Sequence, residues 1–368
     1  MIPSPAAVPI MLMVRELGPG GTERQLTELA RHLDRSRFIV HVGCFNPGIR
    51  QADLEGAGIP VQRFPVTSFV NASTVRGAWE LGNYLRRHDI RILHTFDAPL
   101  NVFGAPVGKA LSLLTGRPKV LTSQRGHRSL TPDVRKGLRV TDRIADAIVV
   151  NCEYLREHLT TEEDVLPGKI RLCYNGLDTA LFYPDRQAGG PFTIGVTCVL
   201  RAEKGLATLV RGFAAVRHLR PEMRLCIVGD GAMLGELQRL ASQLGVAQDT
   251  HFEPATSNVR AWLNQMDVFV LPSLDEAFSN SLMEAMACGC AAVASNVGGN
   301  PELVREGETG LLFEKENVDH LAVQLRSLIE NQELLDRLAA AGVRRISNEL
   351  SVEKSTRRME EIYRQVLG

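Results

Sequence analysis

Short apolar runs rich in Val and Ile alternate with longer segments of helical periodicity along the whole chain. Strands are predicted in the first half at residues 9–14, 38–45, 61–64, 91–95, 119–123, 147–150 and 170–174. In the second half they are predicted at 192–200, 224–228, 250–252, 268–271 and 291–294. Helical patterns lie between them, for example at 22–33, 74–88 and 100–114, and two more, 319–338 and 351–366, end the chain. This alternation predicts β-α-β units and an α/β fold with parallel sheets covered on both faces.

A stretch rich in Gly, Pro and polar residues at 183–191 interrupts both periodicities and predicts a linker. A chain of 368 residues is long enough for two domains. We therefore expect one α/β domain at 1–186, a second at 187–348, and a terminal helix at 349–368.

The overall composition excludes several classes of protein. Lys and Arg number 42, as do Asp and Glu, so no global positive field is available to bind nucleic acid. The seven cysteines form no Cys-x-x-Cys pair, which is typical of a protein from a reducing cytoplasm. No run of about 18 apolar residues predicts a membrane-spanning helix, and residues 8–14 indicate a buried first strand instead of a signal peptide.

The charge is unevenly distributed along the chain. Residues 1–190 carry 24 Lys and Arg against 19 Asp and Glu, and the remainder carries 18 against 23. Much of the basic excess lies in residues 117–143, the basic segment, with eight Lys and Arg against Asp133 and Asp142. One interpretation is a solvated helix face, and the other is a surface for an anionic acceptor or a membrane.

Two glycine-rich segments follow predicted strands. Gly18-Pro19-Gly20-Gly21-Thr22-Glu23 opens the first helix, where glycines let a backbone approach an anion closely. Gly229–Gly235 follows the strand 224–228 but is one residue longer than the dinucleotide fingerprint G-x-G-x-x-G. An NAD(P)-dependent oxidoreductase therefore stays open as an alternative, with Asp249 as the acidic residue about 20 positions further on.

Charged residues follow two other predicted strands of the second half. Arg201 and Lys204 come after the strand 192–200, and two cations at a helix start suit a diphosphate. Glu276 and Glu284 flank the start of a helix that Ser279 or the next residue can cap. One carboxylate can meet a sugar hydroxyl and the other a ribose, while helix N–H groups between them hold phosphate.

On these residues the chain resembles the retaining GT-B glycosyltransferases of group 1, family 4. The resemblance extends over nearly the whole chain and rests on Gly20-Gly21-x-Glu23, Asn175-Gly176-Leu177-Asp178, Lys204-Gly205, Ile227-Val228-Gly229-Asp230-Gly231, Glu276 to Gly289, and Gly298-Gly299-x-Pro301-Glu302. It implies two Rossmann-like domains with parallel sheets facing across a cleft, and a last helix that returns to the N-terminal domain. The N-terminal domain would bind the acceptor and the C-terminal domain the nucleotide sugar.

The resemblance also implies roles for individual residues. Arg201 and Lys204 would hold the diphosphate, Glu276 the donor sugar, and Glu284 the ribose. The other donor-binding residues would be Gly20, Gly21, Gly229, Phe278, Ser279, Asn280, Ser281 and Leu282.

Two positions depart from the pattern of the family. Its usual arginine, five residues before the lysine, is Val199 here, and Arg201 is expected to take over that role. Its usual histidine after the fifth strand is Arg125 here, with His127 two residues further on. We expect the acceptor site to be lined by His94, Asp97, Arg125 and His127, and the catalytic set to comprise Glu276, Arg201, Lys204, His94 and Arg125.

The main hypothesis is transfer of a sugar from a UDP- or GDP-sugar to a hydroxyl of a lipid-linked or carbohydrate acceptor, in cell-surface glycan synthesis. Neither a metal nor another cofactor is predicted, since two cations replace the metal and no Asp-x-Asp cluster occurs. The enzyme is expected in the cytoplasm, with weak contact between the basic segment and the anionic inner membrane face. Besides the oxidoreductase, the alternatives are a non-catalytic binding protein and an enzyme for a small soluble anionic acceptor.

Overall fold

A computed structural model describes residues 7–69, 71–126, 132–186 and 189–368. The chain forms two compact units. Unit 1 consists of Met1–Gly176 with Val352–Gly368, and unit 2 consists of Leu177–Ser351. The divisions fall after residues 176 and 351, whereas the expected boundaries are residues 186 and 348, and the last helix belongs to the same unit as the N-terminal residues.

Unit 1 is built on a parallel sheet of seven strands in the order β3-β2-β1-β4-β5-β6-β7. The strands are β1 Val8–Glu16, β2 Phe38–Asn46, β3 Val61–Arg63, β4 Ile92–Thr95, β5 Lys119–Gln124, β6 Ala147–Val150 and β7 Ile170–Leu172. In β1, Ile10 and Leu12 belong to one core cluster, whereas Met11 and Met13 belong to another. Alternate residues therefore pack on opposite faces, and both faces are covered.

The helices of unit 1 are α1 Gly21–His32, α2 Gln51–Gly56, α3 Ala72–Arg87, α4 Ala98–Thr115, α5 Pro132–Ile144, α6 Glu153–Thr161 and α14 Val352–Leu367. Side-chain caps begin two of them, because Asn71 accepts from the Ser73 N–H and Asp97 from the Leu100 N–H. The α14 residue Tyr363 is fully buried in the first core cluster, which fixes this helix to unit 1.

Unit 2 has a six-stranded parallel sheet in the order β10-β9-β8-β11-β12-β13. Its strands are β8 Thr193–Thr197, β9 Arg224–Val228, β10 Thr250–Glu253, β11 Val268–Leu271, β12 Ala291–Ser295 and β13 Leu311–Phe313. Its helices are α7 Leu206–Val216, α8 Leu234–Gln243, α9 Val259–Leu263, α10 Asn280–Ala287, α11 Asn300–Leu303, α12 Val318–Glu330 and α13 Gln332–Glu349. The predicted α/β class with two Rossmann-like parallel sheets is therefore confirmed.

Three local predictions are corrected. The strand predicted at 192–200 ends at Thr197. Beyond it the chain is no longer part of the sheet, because the Leu200 N–H donates to the carbonyl of Asp230 in the loop after β9. The single helix predicted at 319–338 is wrong, because Asn331 caps a new helix by accepting from the Leu334 N–H at 2.9 Å. The strand β13 was not predicted, since three residues are too few to show a period.

In each sheet the strand order reverses beside the first strand, between β1 and β4 in unit 1 and between β8 and β11 in unit 2. Ligands of open α/β sheets bind outside the carboxyl ends of the strands at such a switch point. A ligand site is therefore expected in the loops that follow these four strands.

Candidate active site

The charged residues of unit 2 meet at the carboxyl edge of its sheet, where β8 and β11 lie side by side. The loop after β8 carries Lys204, and the loop after β11 carries Glu276. Lys204 Nζ lies 2.6 Å from Glu276 Oε2, and the two side chains are only 24% and 17% exposed. Two residues predicted separately from the sequence thus form one ion pair, which salt screens less than a surface pair.

Ser273 supports the Glu276 carboxylate from below. Its Oγ donates to Glu276 Oε2 at 3.2 Å, and its carbonyl oxygen accepts from Ser295 Oγ at 2.6 Å. Asn300 Nδ2 donates to the Ser295 carbonyl at 3.0 Å. Because Ser273, Ser295 and Asn300 are all fully buried, these bonds lock the loops after β11 and β12 together and orient Glu276.

Two glycines let these loops touch where a side chain would collide. Gly298 has φ +52°, and a Cβ there would lie 1.8 Å from the carbonyl oxygen of Glu276. Gly229 has φ +145°, and a Cβ there would lie 1.9 Å from the carbonyl oxygen of Cys198. Glycine is needed at both positions, since other residues fit neither the backbone angle nor the space.

The helix α10 begins at the same edge. Ser279 is its N-cap, with Oγ accepting from the Leu282 N–H at 3.3 Å and lying 3.2 Å from Ser281 Oγ. Unbonded N–H groups in a first turn favour an anion such as phosphate. Phe278 is 5% exposed and Glu284 is 2% exposed, so both lie behind the surface of this edge.

Arg201 stands apart from the Lys204–Glu276 pair. Its side chain is 61% exposed, and Nη1 lies 3.4 Å from Glu203 Oε1. Arg201 nevertheless lies in the same part of the site, because it acts electrostatically on the Cys198 thiol, as Lys204 and Glu276 do. Burial raises the pKa of that thiol to about 11. An exposed guanidinium can turn toward a diphosphate without breaking a buried contact.

The geometry of unit 2 contradicts the dinucleotide assignment. Gly229 follows the carboxyl end of β9, whereas Asp249 precedes the parallel strand β10 and lies at the opposite edge of the sheet. Arg217 holds Asp249 there, with Nε 2.6 Å from Oδ2. Asp249 therefore cannot bind the ribose of a nucleotide placed at Gly229, and this prediction is wrong.

A cavity of about 710 Å³ lies in unit 2 away from the ion pair. It is lined by Arg224, Cys226, His251 and Trp262, on the face of β9 and β10 next to α9. Its lining includes neither Lys204 nor Glu276. The candidate site is therefore the edge where the charges and loops converge, and the cavity is a separate feature of unit 2.

In unit 1, the predicted glycine segment leads from β1 into α1. Gly20 is the N-cap, and a Cβ there would lie 2.2 Å from Glu23 Oε2, so this carboxylate folds back over the helix start. Gln25 of the same helix exchanges two hydrogen bonds with Gly176, of 2.9 and 3.0 Å. The helix start therefore presents a hydrogen-bond acceptor, the Glu23 carboxylate, and it is hydrogen-bonded to the Asn175-Gly176 motif.

Asp97 lies at the end of β4, beside this helix start. Its two carboxylate oxygens accept from the N–H groups of Arg15 at 2.6 Å and Leu100 at 2.9 Å. Burial raises the pKa of Asp97 to about 6, the two backbone hydrogen bonds oppose the shift, and Glu23 adds to it. Asp97 is therefore a carboxyl group that changes its charge close to neutral pH.

We expect Asp97→Asn to remove a pH-dependent part of the stability. Since the folded pKa is raised above the ordinary 3.8, folding is favoured below pH 4, and this contribution is lost as the pH rises through 6. The full loss is about 3 kcal/mol, since the shift is roughly two units and each unit corresponds to about 1.4 kcal/mol. Urea unfolding from pH 4.5 to 7.5 should show the variant gaining stability relative to the parent; parallel curves would contradict the assignment.

His94, predicted to line the acceptor site, is completely buried in unit 1. Nδ1 lies 2.8 Å from Tyr363 Oη and Nε2 lies 2.9 Å from Ser123 Oγ, so both ring nitrogens are used inside the core. Burial and the nearby Arg125 hold the pKa of His94 well below its usual value. The structure does not place His94 where an acceptor can touch it, which corrects the expected catalytic and acceptor-binding role.

Arg125, predicted for the same site, directly follows β5. Nη1 donates to Asn175 Oδ1 at 2.7 Å, and the guanidinium carbon lies 5.1 Å from the centre of the Phe96 ring. The side chain keeps partial exposure. His127, the fourth predicted acceptor residue, lies outside the described residues.

The basic segment does not form one surface. Arg117 and Lys119 stand at the start of β5, at the sheet edge opposite to Arg125, and Arg117 pairs with Asp89 at 2.9 Å. Arg128 lies outside the described residues. Among the residues of this segment that the structure describes, α5 alone gathers cations on one exposed side, namely Arg135, Lys136, Arg139 and Arg143. The expected patch is therefore reduced to one face of this helix.

Several residues of the candidate site were not found from the sequence. They are Gln25, Phe96, Cys198 and Ser273, together with the contact between Asn175 and Arg125. Ser273 carried a usable signal, since it stands between the apolar run of β11 and Glu276. Gln25 carried none, because a glutamine on an amphipathic helix ordinarily faces water.

Two family models match the chain. The model described as Glycosyltransferase Family 4 matches residues 19–181, and the model described as Glycosyl transferases group 1 matches residues 185–345. Together they include Gly20 and Glu23 of unit 1 as well as Lys204, Glu276 and Glu284 of unit 2.

Curated proteins of similar sequence are sugar transferases. The chain is 29% identical to the GDP-mannose-dependent alpha-(1-6)-phosphatidylinositol monomannoside mannosyltransferase of Mycolicibacterium smegmatis, over 91% of this chain and 92% of that protein. It is 28% identical to the alpha-maltose-1-phosphate synthase of the same species, over 97% and 99%.

Solved structures of the same fold include a glycosyltransferase from Rickettsia africae, with a TM-score of 0.85, 19% identity, and coverage of 98% and 99% of the two chains. Anabaena HepE in complex with UDP-glucose has a TM-score of 0.81, 22% identity, and coverage of 97% and 99%. At these identities the likeness shows the fold alone. Over the described residues, the helices include none with the length and apolar character needed to cross a bilayer.

Proposed function

The chain belongs to the group 1, family 4 glycosyltransferases, and we propose that it moves a sugar from a nucleotide-diphosphate sugar held by unit 2 to a hydroxyl acceptor held by unit 1, with retention of configuration. The related mannosyltransferase is GDP-mannose-dependent, whereas the oxidoreductase alternative finds no support among the relatives. The observation that carries the proposal is the Lys204–Glu276 pair beside the capped start of α10.

The donor is proposed to lie along the carboxyl edge of unit 2. Lys204, Arg201 and the N–H groups at the start of α10 hold the diphosphate, and Glu276 accepts from hydroxyls of the donor sugar. As the bond between sugar and diphosphate breaks, negative charge grows on the leaving oxygen and these groups stabilise it. The leaving diphosphate then takes the proton of the attacking hydroxyl on the same face of the sugar, so configuration is retained without a strong base.

We propose that the transfer is independent of metal. A lysine and an arginine beside a helix N-terminus supply the positive charge that a divalent cation supplies elsewhere. The structure orients one of these groups, Lys204, through a 2.6 Å contact.

The test is a transfer assay with a panel of radiolabelled UDP- and GDP-sugars, run with EDTA and with added Mg²⁺ or Mn²⁺. We expect one sugar nucleotide to be consumed, with a product of the same anomeric configuration as the donor and at equal rates under both conditions. An obligatory metal would refute the account of the diphosphate. Stabilisation by NAD(H) with no transfer from any sugar nucleotide would refute the function.

Glu284→Gln should weaken nucleotide binding and leave the fold intact. Glu284 is 2% exposed, so a ribose bonded to it is shielded from competing water. Losing the charge removes a charge-assisted bond worth roughly 1.5–3 kcal/mol, or at least tenfold in affinity. Calorimetric titration with UDP and GDP measures this, and Glu308→Gln, an exposed glutamate of the same unit, serves as control. Unchanged affinity would make Glu284 an ordinary helix residue.

The acceptor is proposed to be a carbohydrate or lipid-linked intermediate of cell-surface glycan synthesis, reached from the cytoplasm. The exposed side of α5 is the surface that we propose to contact an anionic membrane. Within the described part of the chain, Lys136 and Arg143 have no ion pair, whereas Arg139 pairs with Glu163 at 2.6 Å. Each cation near such a surface contributes about 1 kcal/mol, so the contact is weak and reversible.

Replacing both Lys136 and Arg143 by Gln should therefore reduce vesicle binding by roughly 30-fold, for a loss of about 2 kcal/mol. Sedimentation with anionic and with neutral vesicles, at low and high salt, measures the bound fraction. The parent should bind anionic vesicles at low salt only, and Lys315→Gln in unit 2 should behave like the parent. Equal recovery of the parent in all four supernatants would favour a small soluble acceptor.

A further inference from the structure

Arg125 is a half-buried cation with few partners. Its Nη1 donates to Asn175 Oδ1, and its Nε is buried without any hydrogen-bond partner. Since a guanidinium carries five N–H donors, the described residues leave most of its hydrogen-bonding capacity unmet. Across the described ranges, Arg125 forms no ion pair with a carboxylate.

The surroundings do not neutralise this charge. Phe96 lies against the guanidinium, Asn175 is neutral, and the influence of Glu23 is the weakest of the electrostatic contacts. Burial lowers the pKa of Arg125 to about 10, so the group remains charged at neutral pH. Buried arginines are ordinarily paired, and an unpaired one is costly for folding. Such a residue is expected where the missing partner is a ligand.

The guanidinium is also held in a fixed orientation. Gln25 fixes Gly176 through two hydrogen bonds, and Gly176 follows Asn175, the residue that binds Arg125. The Phe96 ring beneath is 1% exposed and packs on His94 with ring centres 4.3 Å apart. A donor group oriented in advance loses little freedom on binding, which favours a specific ligand.

The neighbours of Arg125 at this edge accept hydrogen bonds. Asp97 follows β4, the strand beside β5, and Glu23 acts electrostatically on both Asp97 and Arg125. Carboxylates of this kind bind hydroxyl groups, whereas a guanidinium fork binds phosphate or carboxylate in a bidentate manner. The edge thus offers one place for an anion next to places for hydroxyls.

We propose that Arg125 is an anion subsite of unit 1 that binds a phosphate or carboxylate group of the acceptor, so that the acceptor is an anionic polyol or sugar. The inference rests on the proposed function, which places the acceptor in unit 1. The same chemistry is present in the diphosphate of the donor, and the experiment has to separate these two sources.

The experiment is calorimetric titration of the full chain with inorganic phosphate while UDP and GDP are both present in excess. The nucleotides occupy the donor loops, so any remaining phosphate binding reports another site. We expect one bound phosphate, with affinity about 10- to 100-fold lower in Arg125→Gln and a smaller loss in Arg125→Lys. Arg87→Gln, which changes an exposed arginine of the same unit, should bind phosphate like the parent. Glycerol 3-phosphate should displace the phosphate, and glycerol should not.

Thermal unfolding separates a ligand-binding role from a structural one. Without phosphate, Arg125→Met should melt at or above the temperature of the parent, because it removes an unpaired buried charge. Phosphate should raise the melting temperature of the parent and not that of the variant. A clearly lower melting temperature of the variant in the absence of phosphate would make Arg125 a structural residue.

Two other results would overturn the proposal. If the nucleotides abolish phosphate binding, the anion belongs to the donor, and if Arg125→Gln binds phosphate like the parent, the site lies elsewhere. Neither result affects sugar transfer by the parent or the nucleotide affinity of Glu284→Gln. Failure of this inference is therefore distinguishable from failure of the proposed function.

Discussion

Lys204→Met is expected to lower kcat for sugar transfer by about 10²- to 10³-fold, with the chain still folded. Lys204 lies 2.6 Å from Glu276, at the edge proposed to hold the diphosphate. Negative charge grows on the diphosphate as the sugar leaves, so a fixed cation stabilises the transition state more than the ground state. Methionine keeps the apolar stem and removes only the charge. The measurement is kcat at saturating donor, with circular dichroism as the check on folding.

The matched control is Lys315→Met, which removes an exposed lysine of the same unit and should leave kcat unchanged. The double variant Lys204→Met with Glu276→Gln should lose less than the sum of the two single losses, since the two groups are in contact. A kcat within twofold of the parent for Lys204→Met would show that the pair is a salt bridge without a part in transfer.

The fold could be predicted from the sequence to a large extent. Apolar runs such as Ala147–Val150 and Val268–Leu271 are buried on both faces. Strands of this kind can be predicted because all of their consecutive residues are apolar. The pattern fails where a short element has no room for a period, as in β13. It also fails where a single N-cap residue determines the start of a helix. Asn331 is such a residue, and it divides one continuous amphipathic pattern into two helices.

The chemistry of the candidate site could be predicted less fully. Lys204 and Glu276 were found because both follow strands whose carboxyl ends face the switch point. Their contact could not be predicted, since it joins residues 72 positions apart. The same applies to the Ser273, Ser295 and Asn300 network, in which each residue is unremarkable until the loops are packed together.

His94 and Arg125 were predicted for the same site, but their side chains differ in exposure. His94 lies in β4 and Arg125 directly follows the adjacent strand β5, and the sequence gives no reason to separate them. The difference between them is due to Tyr363, which lies 269 residues after His94 in the chain. Its hydroxyl forms a hydrogen bond with the imidazole, and its ring packs against His94 in the core. Arg125 follows the last residue of its strand and so keeps partial exposure. Long-range packing thus decides which of two polar residues can meet a ligand.

The main chain around Glu276 depends on Gly298. The carbonyl oxygen of Glu276 accepts from the Gly299 N–H at 3.1 Å, and Gly298 lies directly against it. A methyl group at Gly298 would be 1.8 Å from that oxygen, a distance that forces the Glu276 backbone to move. The position of the Glu276 carboxylate, and with it the ion pair to Lys204, is therefore coupled to the absence of a side chain at residue 298.

Gly298→Ala should consequently reduce transfer by about 100-fold or more, because a displacement of about 1 Å at a reacting group costs that much. It should also lower the free energy of unfolding by roughly 1–2 kcal/mol, since alanine at positive φ is strained. Gly307→Ala is the matched control: φ there is +70°, but no atom lies within 4 Å of the added Cβ. It should lose only the stability that the strained φ costs, with kcat unchanged. Equal kcat losses in the two variants would mean that backbone strain, and not contact with Glu276, explains the effect.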